Sequence, residues 1–341
     1  MKDKQVKKTH IKISAKKLIL IIALIWLSSI FGTWYFTKKL SANNKNGSEF
    51  SLLNPRLKTL GLDTREERSA KLFATLIPLK DQLLSYLGEK KENTAFYVED
   101  LNTGSWTGWK ERDPFIAASL LKVPASIAVM KKIDSGEWTL DTTFSLEEKN
   151  KDNKFGELWK METGTKLTVK QLLEEMLQNS DNTAVFTFLD QLTAEELDNV
   201  YYHIGATNPD KTIEMLGDDL QISKLSAKDL ASTFRALYNA TYLTRKSSNY
   251  ILDLLTKTRF DEVVPINIPK DVPVAHKIAN FFNKDPNRPK EYHDCGIVYY
   301  PDHPYLFCTM TDGYDAAASE KIIVDMGNKT YEYFEKNGKL K

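Results

Sequence analysis

Strand-favouring residues lie at the two ends of the long C-terminal part of this chain, and helix-periodic residues fill the space between them. That distribution limits the fold more than any other feature. The stretch "TAFYVEDLNTGSWTGW" reads as a hairpin, with strands at 94–100 and 105–109 about an Asn-Thr-Gly turn at 102–104. Three more strands fall late, at 272–281, 295–300 and 305–311, broken by turns such as "PDHP" at 301–304. Between the two groups, apolar residues recur at helical spacing over 119–134, 168–178, 183–191, 193–203 and 226–240. Thr168 and Ser226 stand as N-caps, the second with Asp229 three residues on. A helix from about 69 carries Leu72, Leu76, Leu79, Leu83 and Leu87 on one face, and a last helix covers 315–336. The expected fold is therefore α+β. An antiparallel sheet of about five strands, two N-terminal and three C-terminal, is flanked by helices, with an all-helical subdomain inserted at about 119–260. The cleft between sheet and subdomain is the natural place for a site.

The N-terminus reads differently. Residues 18–36, "LILIIALIWLSSIFGTWYF", run nineteen residues without a charge, about the length that crosses a ~30 Å hydrocarbon core as a helix. Seven lysines precede the run (2, 4, 7, 8, 12, 16 and 17), against Lys38, Lys39 and Lys45 just after it. That asymmetry puts the N-terminus in the cytoplasm and the rest outside. A cleaved signal peptide is the competing reading; the run is longer than a usual signal core, and no A-x-A site follows it. The expected organisation is a basic tail at 1–17, a single transmembrane helix at 18–37, a polar linker at 38–68 and one domain at 69–341. The domain then works at the cell membrane on its extracytoplasmic side, with the lipid bilayer as a partner through the N-terminal helix.

Composition narrows the function classes. Apolar residues at 42% and charged residues at 27% are those of a globular chain. A net charge of +1 argues against nucleic acid as a partner, since a phosphate backbone favours a marked basic excess. Two cysteines exclude a disulfide scaffold, and five histidines without ligand spacing point to no metal and no cofactor. A monomer is expected.

Three short motifs carry chemistry. In "FIAASLLKVPAS", Ser119 and Lys122 stand three residues apart, on one helical face, in an apolar setting. A serine hydroxyl needs a base, and a lysine serves when burial and a second positive charge lower its pKa. In "MLQNSDNTAVF", Ser180-Asp181-Asn182 sits between two helices. In "VAHKIAN", Lys277 lies on a strand with Asn280 three residues along. Each motif alone has a plain reading, as a surface lysine, a helix cap or a strand lysine facing water.

Together, S-x-x-K, then S-D-N 61 residues later, then a strand lysine 97 residues after that, form an ordered set. The chain resembles the class A β-lactamase-like members of the penicillin-recognising serine enzymes. The resemblance runs from about residue 70 to the end and takes in "YVEDLNTG", "KKIDSGEWTLD", "LTVKQLLEEMLQNSDNTA" and "HDCGIVYYPDHPYLFCTMT". It implies Ser119 as the acylated nucleophile and Lys122 as its base, or at least its proton-relay partner. Ser180 passes a proton toward the leaving nitrogen, and Asn182 binds the substrate amide and orients Lys122. Lys277 holds the site positive and attracts a substrate carboxylate. The backbone N–H groups of Ser119 and Asn280 form the oxyanion hole. The implied partner is a small β-lactam or a peptidoglycan-type peptide.

Two departures qualify that picture. Lys277-Ile278-Ala279 replaces the usual Lys-Thr-Gly or Lys-Ser-Gly. Ile278 then stands at a substrate-binding position without the hydroxyl, which removes about 1.5–3 kcal/mol of carboxylate recognition. The region after S-D-N also lacks a recognisable loop with a water-activating glutamate: Glu214 is the only glutamate there, with Asp218 and Asp219 as alternatives. Slow deacylation is the expectation for an enzyme. A non-catalytic module that binds wall peptides or scaffolds a partner is the competing function. His276 and His293 are expected to be structural. If "PDHP" turns a hairpin, Cys295 and Cys308 fall nearly opposite each other, as a cross-strand disulfide or as two small buried thiols.

Overall fold

The computed structural model describes residues 76–206, 224–281 and 290–338. The chain divides into two units, Met1–Ser51 and Leu52–Lys341, and every described residue belongs to the second. The expected tail, membrane helix and linker, the helical turn containing Leu72, and Glu214 with Asp218 and Asp219 lie outside the described residues.

The fold is α+β around a five-stranded antiparallel sheet. Helix α1 (Ile77–Leu87) leads into β1 (Thr94–Asp100) and β2 (Trp106–Trp109), the early hairpin. A two-residue strand β3 (Phe115–Ile116) and a 3₁₀ turn (Ala118–Leu121) enter α2 (Lys122–Asp134). Strands β4 (Thr143–Ser145) and β5 (Lys166–Thr168) precede α3 (Val169–Gln178), α4 (Asn182–Leu189) and α5 (Ala194–Ile204). Strand β6 (Lys224–Leu225) precedes α6 (Ala227–Asn239) and α7 (Arg245–Leu255). The chain closes with β7 (Val274–Phe281), β8 (Glu291–Val298), β9 (Tyr305–Asp312) and α8 (Ala316–Gly338). The sheet order is β2-β1-β9-β8-β7, so the early hairpin and the late strands share one sheet and β7 is an edge.

The inserted block is helical except for two short ribbons, β4 with β5 and β3 with β6, which corrects the all-helical expectation. The reason is local: Thr142, Thr143 and Phe144 favour extended backbone, and Thr168 ends β5 while capping α3 through Gln171. Helix α7, capped by Thr244, is an addition to the expected set.

The sheet's two faces bury different things. On one face, Leu79, Leu83 and Leu87 of α1 and Ile322, Ile323 and Met326 of α8 pack with Phe96, Val98, Val274 and Phe307 of the strands. The other face meets the inserted helices, with α6 against β8 and β9 and α7 against β7. Across that second face runs a row of register partners: Lys277 opposite Cys295, Cys295 opposite Cys308, Cys308 opposite Tyr97. Cys295 and Cys308 are joined as a disulfide, with Cα atoms 4.0 Å apart. One step along, His276 pairs with Gly296, where any Cβ would meet the Ala275 carbonyl oxygen at 2.3 Å. Only glycine lets β7 lie this close to β8 beside Lys277.

Candidate active site

Ser119 and Lys122 sit on the 3₁₀ turn and the first residue of α2. A repeat of three residues per turn eclipses positions i and i+3, so the serine hydroxyl and lysine amine meet directly. Lys122 Nζ lies 3.3 Å from Ser119 Oγ. Ala118, just before the serine, is held at φ 44°. Ser180 likewise sits at φ 55°. Left-handed backbone at a non-glycine residue costs about 1–3 kcal/mol and persists where the surroundings over-determine it.

The twist at Ser180 puts two of its oxygens on Lys122. Lys122 Nζ donates to the Ser180 carbonyl oxygen at 2.6 Å and lies 3.1 Å from Ser180 Oγ. Asn182, the first residue of α4, accepts from the same amine through Oδ1 at 2.6 Å. Ser180 Oγ is 3.2 Å from Ser119 Oγ and accepts from Lys277 Nζ at 2.9 Å. Six polar side-chain and backbone groups thus converge between the 3₁₀ turn, the α3–α4 turn and β7.

Electrostatics follow from burial. Lys122 and Lys277 are both fully buried. Burial, then the positive charge of Lys277, pushes the Lys122 amine well below its ordinary range, opposed by Asp181 and Asp152. Burial also pulls Lys277 down to about 7, opposed by Asp294. A neutral Lys122 has two N–H bonds and one lone pair. The two short carbonyl contacts, to Ser180 and Asn182, take the N–H bonds, which leaves the lone pair for the hydroxyl of Ser119. That is the arrangement of a serine and its general base.

The site opens to a cleft lined by Ala118, Ser119, Lys122, Phe155, Asn182, Val185, Phe186 and Asn280. Its floor is polar and one wall is apolar. A family model described as the beta-lactamase enzyme family matches residues 78–334. The chain belongs to that family. Among solved structures it is similar to PBP-A, at 23% identity and TM-score 0.67, over 77% of this chain and 97% of that one. A PBP-A variant solved as an acyl-enzyme with penicillin G is equally similar, at 23% identity and TM-score 0.67, over 77% of this chain and 98% of that one. The β-lactamase from Chitinophaga pinensis is 18% identical with TM-score 0.66, over 75% of this chain and 99% of that one. At these identities the likeness to each solved structure is one of fold. No curated protein sequence matches the chain.

Of the residues singled out from the sequence, the beta-lactamase-family fold gathers Ser119, Lys122, Ser180, Asn182, Lys277 and Asn280 at one place. Ile278 goes elsewhere. It is buried in the apolar cluster with Val264 and Val274, on the face under α1 and α8, because its side chain alternates with that of Lys277. Its assignment as a substrate contact is therefore corrected.

Other residues at the site went unremarked in the sequence. The loop before β5 docks on Asp181: Glu157 N and Leu158 N donate to Asp181 Oδ2 at 2.8 and 2.9 Å, and Ala184 N donates to Oδ1 at 2.8 Å. Gly156 makes this fit possible, at φ 87° with the Asp181 carboxylate where a Cβ would stand. Asp152 accepts from Asn182 Nδ2 at 2.9 Å and so fixes which way that amide points. Phe260 lies under Lys277, with Nζ 5.5 Å from its ring centre. The one sequence sign of this loop is its run of turn residues, "NKDNKFG". His276 is buried and bonded to Asp294 at 2.9 Å, on the face away from the cleft.

Proposed function

We propose that the chain is a serine hydrolase, anchored in the membrane and facing outward, that forms an acyl-enzyme on Ser119 with a β-lactam or peptidoglycan-type amide and releases it slowly. The observation that carries this reading is the Lys122 amine, desolvated, bonded twice to carbonyl oxygens and 3.3 Å from Ser119 Oγ. Lys122 takes the hydroxyl proton as Ser119 attacks the amide carbonyl. The backbone N–H groups of Ser119 and Asn280 receive the oxyanion, a term worth roughly 3–4 kcal/mol per donor in comparable sites. Ser180, bonded to both lysines, passes a proton to the departing nitrogen. Lys277 supplies the positive charge for a substrate carboxylate, and Phe155, Val185 and Phe186 offer an apolar wall for a side chain.

Slow release rests on what the nearby carboxylates already do. Asp181 accepts three backbone N–H bonds and Asp152 holds Asn182, so within the described residues neither of these two is poised to activate water. Membrane anchoring rests on the uncharged run at 18–36 and the lysine excess before it. The Cys295–Cys308 bond supports an oxidising compartment for the domain.

The test is intact mass of the full-length chain incubated with a reporter penicillin. A persistent adduct that is absent in Ser119→Ala is expected. Rapid loss of the adduct with product release removes the slow step from the proposal. No adduct under any condition removes β-lactams as substrates and favours a non-catalytic binding module. Membrane association is read separately, by fractionation and by protease access to the domain in intact cells.

A further inference from the structure

The nucleophile turn is held from a side that the catalytic set does not use. Strand β3 has only two residues, paired with β6 as Phe115 with Leu225 and Ile116 with Lys224. So short a ladder is weak by itself. On its other edge, two side chains of β8 take both polar backbone groups of Ile116. Ile116 N donates to Glu291 Oε2 at 2.8 Å. His293 Nε2 lies 2.9 Å from Ile116 O and 3.1 Å from Glu291 Oε2. The backbone of Thr311 donates to His293 Nδ1 at 3.3 Å, which puts the imidazole proton on Nε2, facing Ile116. Phe115 meets His293 edge-on at 5.8 Å between ring centres, and both Glu291 and His293 are buried.

We infer that Glu291 and His293 are positioning residues for the nucleophile, clamping Ile116 so that the strained turn at Ala118 delivers Ser119 to Lys122. The inference rests on the reading of Ser119 as the acylated serine and deepens it. Its logic is mechanical. A buried carboxylate beside a buried imidazole is costly to desolvate, and an apolar pair fills the same space without that cost. What an apolar pair lacks is the donor and acceptor that Ile116 needs on this edge. Only Ala117 and Ala118 separate Ile116 from Ser119, and Ala118 holds φ 44°. With Lys122 and Ser180 gripping the serine from one side, the Glu291–His293 pair supplies the second fixed point that keeps Ala118 left-handed. Reacting atoms displaced by about 1 Å lose on the order of a hundredfold in rate.

The test uses the full-length chain and three variants, with a fluorescent penicillin as probe. Glu291→Gln keeps an acceptor for Ile116, Glu291→Met keeps the length without one, and His293→Leu removes the donor. Two quantities are read: the rate constant of Ser119 acylation, separated from the apparent dissociation constant, and amide hydrogen exchange over residues 115–121. Glu291→Met and His293→Leu are expected to slow acylation by about tenfold or more, with the dissociation constant within about threefold. Exchange should quicken at Ile116–Ser119 and not across β8 and β9. Glu291→Gln is expected to stay within about threefold of the parent rate. Acylation at the parent rate in either apolar variant overturns the clamp, as does a loss matched by faster exchange over the whole sheet. Should neither apolar variant fold, Glu291→Gln decides alone: a tenfold loss with unchanged exchange at Ile116 overturns it, and near-parent values support it. If the parent chain forms no penicillin adduct, the proposed function fails and the exchange contrast still tests the clamp.

Discussion

The two faces of the central sheet diverge at a single peptide bond, between Lys277 and Ile278. On the Lys277 side, two lysines, Ser180 and Asn182 are buried beside the half-buried Ser119, with partners at 2.6–3.3 Å. Backbone there sits in left-handed conformations at Ala118 and Ser180. On the Ile278 side, aliphatic and aromatic groups from α1, α8 and the strands fill a common cluster. The first face holds direction and charge at a cost in desolvation; the second contributes apolar burial in proportion to area. The proposed chemistry and the stability thus fall to different residues that are neighbours along one strand, and substitutions should separate them.

The largest separation is expected at Lys122. Lys122→Met should lower the acylation rate by about 10²–10⁴, the range for a lost general base, while the thermal midpoint holds or rises because a buried amine is gone. A midpoint that collapses while the residual rate survives would reverse the assignment of roles. On the opposite face, Leu83→Ala should cost about 2–5 kcal/mol in denaturant unfolding and leave the acylation rate of the folded fraction unchanged.

A pH experiment comes next. Lys277 is at about 7 when folded, against an ordinary 10.5. Between those values the unfolded chain binds the extra proton, so this lysine makes stability increase with pH, by about 1.4 kcal/mol per unit, and below about 7 its full charge-burial cost applies. Lys277→Met should flatten the rise in denaturant midpoint between pH 7 and 9.5, and an unchanged slope would show that the amine stays charged.

Ile278→Thr probes the dividing line itself. It should cost about 1–3 kcal/mol by placing a hydroxyl in the apolar cluster, with no tighter binding of a carboxylate-bearing penicillin. A gain in affinity would move that side chain to the cleft. Smallest of all, Lys257→Ala, which breaks an exposed pair with Asp253 on neither face of the sheet, should change stability by less than about 0.5 kcal/mol.

Much of this division was legible in the residues. The leucine spacing of α1 follows from the helix period and marks a buried face, and the ordered S-x-x-K, S-D-N and strand-lysine set marks residues that gather at the site. The first half of β8 was not legible: Glu291, His293 and Asp294 lie before the strand expected from residue 295, because polar residues seldom make a wholly buried strand, yet each has a partner that only the tertiary fold supplies. Helix α7 was missed for a similar reason, since "RKSSNY" hides a helix whose apolar residues come only in its second half. The face of Ile278 was misread because a motif fixes identity in sequence while the pleat fixes direction. Asp152 and Gly156 act through Asn182 and Asp181, and contacts of that range leave no local pattern.

The Cys295–Cys308 bond has a chemical meaning as well as a geometric one. Both residues are wholly buried, between strands covered by helices on either side. Neither an oxidant nor a reductant can approach the sulfurs in the finished molecule without prising the layers apart. Forming or reducing the bond therefore requires the β8–β9 hairpin to be uncovered, with α6 or α8 lifted from the sheet. The linkage beside Lys277 is thus sealed from redox exchange for as long as the helices stay in place.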